Sequence, residues 1–121
     1  MDLEIKLEGH DATERTLYSL QDWIKQERIS GLSARRKSIP PQDDEMGGDP
    51  VTILSVVLAS AAVVELVKSI HVWIQNTRPK VKVRIQLTES KFIEVESENL
   101  PADPQHLIDK TLEKLKEIEE D

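Results

Sequence analysis

Side chains able to do chemistry are few in this chain and poorly spaced for it. Cysteine is absent, which removes thiol catalysis, thiolate metal sites and disulfide staples. His10, His71 and His106 stand far apart, and none sits in the two-histidine, one-glutamate helical pattern that seats a catalytic zinc. Gly47-Gly48 runs into Asp49-Pro50, not into the lysine and hydroxyl residue that close a phosphate-binding loop. Asp43-Asp44-Glu45 is an acidic run without the alternating oxygen ligands and closing bidentate glutamate of a calcium loop. No catalytic, metal or cofactor-binding residue is assigned, and the expectation is a protein that is not an enzyme.

Two basic clusters remain. Lys80, Lys82 and Arg84 alternate along one segment, and Arg35-Arg36-Lys37 are consecutive. Against them stands a balance of 16 basic to 23 acidic residues, net charge −7. Affinity for nucleic acid scales with the phosphates that Lys and Arg neutralise, so a nucleic-acid partner is not expected. Met1-Asp2-Leu3-Glu4 has neither the basic nor the apolar region of a secretory signal. With no cysteine, a cytoplasmic location is the expectation.

The 121 residues fit one domain, 1–121, since half that length would struggle to bury a core. Residues 2–8 alternate, with Leu3, Ile5 and Leu7 against Asp2, Glu4, Lys6 and Glu8, the period of a half-buried strand. Asp11-Ala12-Thr13-Glu14 has capping-box spacing and predicts a helix running to about Arg28 with Leu17, Leu20 and Ile24 inward and Trp23 beside them. Residues 32–39 predict a weak edge strand, whose basic triplet would guard against edge-to-edge pairing or serve as a contact or cleavage point. Pro, Gly and acids make 40–49 a mobile acidic loop.

Residues 80–98 predict a hairpin around Thr88-Glu89-Ser90 in which Ile85 faces Ile93, Val83 faces Val95, Arg84 faces Glu94, Lys82 faces Glu96 and Lys80 faces Glu98. Opposite charges then meet on the solvated side, and a one-residue slip would invert both faces. Asp103-Pro104 starts a last helix with Leu107, Ile108, Leu112, Leu115 and Ile118 as its stripe. The fold class is α+β: a small, mostly antiparallel sheet made of the N-terminal strand, the edge strand and the hairpin, packed with three helices.

The middle helix is expected to be long and apolar. Asp49-Pro50 has the chemistry of a helix start, Arg78-Pro79 that of a stop, and residues 51–64 contain no ionisable group. A helix apolar all round must be covered by protein or lipid. Its 14 residues would reach about 21 Å, short of the roughly 30 Å of a bilayer core. Docking on a partner or a homo-oligomer is one expectation, through Val51, Ser55, Val56, Ala59, Ala62 and Val63 with Arg35 and Arg36 as accessory contacts; a core helix wrapped by the domain's own sheet and two amphipathic helices is the other. The alternative is a membrane-active effector whose helix is released on activation, by proteolysis at the basic triplet or in the loop.

Leu20-Gln21-Asp22-Trp23-Ile24, Glu45-Met46-Gly47, Ile70-His71-Val72-Trp73-Ile74 and 81–87, in that order behind an N-terminal strand, give a chain that resembles the effector-associated constant component family of bacterial conflict systems. The resemblance implies a small non-catalytic partner in multi-gene defence systems, encoded beside effectors that carry effector-associated domains and often trypsin-like or caspase-like protease modules. It brings no catalytic residues.

Overall fold

A computed structural model describes residues 1–29, 31–39, 51–98, 100 and 102–120, without the side chains of residues 38, 39, 51, 52 and 120. Five strands form one antiparallel sheet: β1 (Asp2–Glu8), β2 (Ser33–Ile39), β3 (Val51–Val57), β4 (Lys82–Gln86) and β5 (Phe92–Glu96), in the spatial order β2-β3-β1-β4-β5. Helices α1 (Glu14–Gln26), α2 (Val63–Thr77) and α3 (Gln105–Glu120) complete an α+β fold. The expected mobility of 40–49, and the Asp49-Pro50 start, lie outside the described residues.

The predicted long helix is corrected. Residues 51–57 are a strand, and a short 3-10 turn, Ser60–Ala62, leads into a helix that begins at Val63. The physical reason is in the side chains. Val51, Thr52, Ile53, Val56 and Val57 are β-branched, stiff at χ1 and better suited to a pleated surface than to a helix. An uncharged run of this length also satisfies a strand inside a sheet. β3 lies between β2 and β1. Its Leu54 and Val56 are fully buried in the core, facing Ile5 and Leu3 of β1, while Ile53 is buried outside that cluster. Ile53, Leu54, Val56, Leu58, Ala62 and Val63 of the apolar run are thus buried by their own chain, while Val57 and Ala59 remain exposed.

All three helices cover one face of the sheet. Leu17, Leu20 and Ile24 of α1, Val63, Leu66, Val67, Ile70, Trp73 and Ile74 of α2, and Leu107 of α3 join Leu3, Ile5, Leu54, Val56, Val83, Ile85, Ile93 and Val95 in one buried cluster. α2 runs between α1 and α3. The two tryptophans lock α1 to α2 reciprocally: Trp23 Nε1 donates to the Ser69 carbonyl at 3.1 Å and hydroxyl at 2.9 Å, and Trp73 Nε1 donates to Ser19 Oγ at 3.3 Å. Buried indole N–H groups need such acceptors. Ser69 and His71 of α2 are buried as well. Arg78, left-handed at φ 48°, ends α2 with its amide on the Ile74 carbonyl.

The hairpin has the expected register: Ile85 opposite Ile93, Val83 opposite Val95, Arg84 opposite Glu94 and Lys82 opposite Glu96. The Leu87 amide bonds the Lys91 carbonyl across the turn. Lys80 lies outside β4, and Val81 with Ser97 forms the last rung in place of Lys80 with Glu98. α3 starts as expected, with Asp103 Oδ1 accepting from the Gln105 amide at 3.0 Å. Its stripe is shifted: Thr111 is fully buried, its hydroxyl on the Leu107 carbonyl, while Leu112 is half exposed.

Asp11 does not cap α1. Thr13 does, its hydroxyl accepting from the Thr16 amide at 3.2 Å. Asp11 instead joins the β1–α1 corner to the segment between α2 and β4, accepting from the Lys80 amide at 2.8 Å while its own amide donates to the Lys80 carbonyl. Gly9 makes this close approach available: its φ is +115°, and a Cβ there would lie 2.9 Å from the Lys80 carbonyl oxygen. Gly9→Ala is therefore expected to cost about 1–3 kcal/mol, read as a lower midpoint in urea unfolding.

The Lys80 amide, and secondly His10, hold the Asp11 carboxyl below the ordinary carboxylate range. A depressed folded-state pKa contributes stability that is present above the unfolded value, near 3.9, and is lost as pH falls through the folded value. The Asp11 carboxyl carbon is accordingly expected to titrate by NMR below that reference. In Asp11→Ala, the part of the acid-side slope of the melting temperature due to this group should vanish.

Candidate interaction surface

The sheet face away from the helices is open over most of its described residues, Ile53 of β3 being the one that is buried on it. Strand parity and pairing put Asp2, Glu4, Lys6 and Glu8 of β1 on it, with Ser55 and Val57 of β3, Arg35 and Lys37 of β2, Lys82, Arg84 and Gln86 of β4, and Phe92, Glu94 and Glu96 of β5. Val57 and Phe92 are its exposed apolar side chains, at 47% and 37%.

Charges on this face are unevenly satisfied. Lys82 Nζ lies 3.2 Å from Glu94 and 3.7 Å from Glu96, so one cation serves both acids, one of them diagonally. The hydrogen bond and field of Glu94, then the field of Glu96, push the Lys82 ammonium above the ordinary lysine range. Arg84 lies 3.9 Å above the Phe92 ring and its Nε donates to Gln86, so it stacks instead of pairing with the facing glutamate. Of the basic row of the hairpin, Lys82 pairs with carboxylates as its register implies and Arg84 is stacked, while Lys80 lies outside β4. Arg35 and Lys37 are exposed and form no ion pair among the described residues.

The sequence-derived contact residues scatter. Val56, Ala62 and Val63 are buried in the core and cannot meet a partner. Ala59 is exposed in the connection after β3, and Ser55 is half-buried on the open face, beside Glu4 and Arg35. The side chain of Val51 lies outside the described residues. Arg35 and Arg36 part company on opposite faces of β2: Arg36 turns to α1, 4.9 Å over the Tyr18 ring and 3.7 Å from Glu14. The open face was expected only as the solvated side of the hairpin, not as a contact surface. Its signal was the charged half of each alternating strand, which identifies a solvated surface as well as a buried one.

Little here resembles a catalytic site. His10 is 82% exposed and contacts its chain neighbour Asp11 at 3.0 Å, His71 is buried in α2, and His106 is exposed near the start of α3. Among the described residues no cluster of histidines and carboxylates could hold a metal ion. A groove of about 490 Å³ at the C-terminal end of α2 is lined by Ile74, Arg78, Lys80, Ser97, Glu98 and Leu100 among others; the Ser97 hydroxyl accepts from the Val81 amide, and among the described residues no hydrogen bond joins it to a base. Among the described residues no helix is long and apolar enough to cross a membrane.

An α+β unit with one covered and one open sheet face, and polar groups spent on caps, corners and cross-strand pairs, has the build of a binding module. The chain belongs to the Effector Associated Constant Component 1 family, whose model matches residues 8–115. No curated protein matches it. The tryptophan segments that carry the resemblance are the two halves of the α1–α2 clasp. Membership makes the protein an effector-associated component of conflict systems.

Proposed function

We propose that this protein is a non-enzymatic accessory component of a bacterial multi-gene defence system, acting in the cytoplasm, where it relays or regulates an effector by docking to it. The family match over residues 8–115 carries this reading. Docking uses the open sheet surface. Of the apolar segment 51–64, Leu54, Val56, Leu58, Ala62 and Val63 lie in the core. The bilayer alternative loses its physical basis with the helix on which it rested.

The test is co-expression with the effector encoded beside it, followed by size-exclusion chromatography with light scattering. A complex of defined stoichiometry, weakened at least tenfold by Val57→Glu on the open face, is the expected result. Absence of a complex with wild type, or a complex indifferent to every open-face substitution, would overturn the reading.

A further inference from the structure

β2 is an edge strand: among the described residues its one strand partner is β3, and the pairing runs without interruption from Ser33 opposite Val57 to Ile39 opposite Val51. Exposed edges are normally blunted by shortness, proline, a bulge or a covering element. Seven residues in unbroken register, with the sequence Ser-Ala-Arg-Arg-Lys-Ser-Ile, include no proline and no bulge. What remains is charge, and charge discriminates between partners where a steric block would refuse them all.

Arg35 and Lys37 project from the open face two residues apart, the repeat at which side chains recur on one side of a neighbouring strand. In a chain of net charge −7 they have, among the described residues, no carboxylate partner of the kind that Lys82 has found. Arg36, on the other side, is held by Glu14 and Tyr18. Val57, exposed and opposite Ser33, adds an apolar contact at one end.

We infer that the outer edge of β2 accepts an extended, acidic segment of the partner protein as a sixth strand, with carboxylates at alternate positions beside Arg35 and Lys37. The inference rests on the docking reading and specifies its surface. Main-chain hydrogen bonds provide affinity in this mode of recognition, and alternate side chains provide specificity. A second copy of this chain fits worse. Antiparallel pairing of two β2 strands would bring their cations together, which is repulsive, and the acids of β5 are already held by Lys82.

The test uses the isotope-labelled full chain and four synthetic octapeptides: alternating glutamate and threonine, alternating lysine and threonine, and the glutamate peptide N-methylated at alternate residues in either of the two registers. The glutamate peptide should shift amide signals of residues 33–39 and Val57, bind at least tenfold more tightly than the lysine peptide, and weaken with salt. The Arg35→Glu/Lys37→Glu variant, shown folded by its spectrum, should reverse the preference, and N-methylation in one register should abolish binding. Equal binding of both charges, indifference to N-methylation in both registers, shifts confined to other elements, or self-association through the edge would each overturn the proposal. Two further outcomes separate it from the broader reading. If the effector complex survives Arg35→Glu/Lys37→Glu, the edge assignment falls and docking stands. If wild type forms no complex, docking falls and the edge is judged by the peptides alone.

Discussion

Val56→Lys is expected to unfold the domain, whereas Val57→Lys, one residue further on, should leave it folded. The two side chains lie on opposite faces of β3: Val56 is 0% exposed against Leu3, and Val57 is 47% exposed opposite Asp2 and Ser33. An unpaired ammonium in the core carries a cost on the order of 4 kcal/mol or more, comparable with the roughly 5–15 kcal/mol by which a domain of this kind is stable. On the exposed face the change should stay within about 0.5 kcal/mol. Urea unfolding followed by circular dichroism reads both. The contrast also discriminates between structures, because an apolar helix seated on a partner or in lipid would leave the isolated chain nearly indifferent to either lysine.

Trp73→Ala is expected to cost about 3–5 kcal/mol. The side chain is 1% exposed and is among the largest fully buried groups, so its removal leaves a cavity where α2 packs on α1, in addition to losing the Ser19 bond. Trp23→Phe should cost far less, roughly 0.5–1.5 kcal/mol, because Trp23 is only partly buried and the change removes chiefly its donation to Ser69. Equilibrium unfolding of the two variants checks the ordering. Equal losses would contradict the reciprocal but unequal clasp described above.

Elements whose two faces meet different solvents were legible in the sequence. β1 alternates because one side is core and the other water, and the β4–β5 register followed from matching apolar and charged rungs. α1 showed its Leu17, Leu20 and Ile24 stripe for the same reason. β3 was misread because that contrast is missing: Ile53, Leu54 and Val56 are all buried, though on two faces, so neither period registers. The β-branched content of 51–57 was the remaining cue. Asp11 was misplaced because its partner, Lys80, is 69 positions away, and local spacing points to the nearest helix. Arg35 is read from the sequence as an accessory contact, but its place beside Lys37 on one face of β2 was hidden, because its partner strand, β3, was expected to be a helix.

The central claim is that the apolar segment belongs to the protein's own sheet and that partners meet the sheet's open surface. Hydrogen–deuterium exchange of the free chain and of its effector complex tests this directly. Amides of 53–58 should exchange in the slowest class already in the free protein and stay unchanged on binding, while those of 33–39 gain protection. Fast exchange of 53–58 in the free chain, with protection appearing only on a partner or a vesicle, would contradict the account.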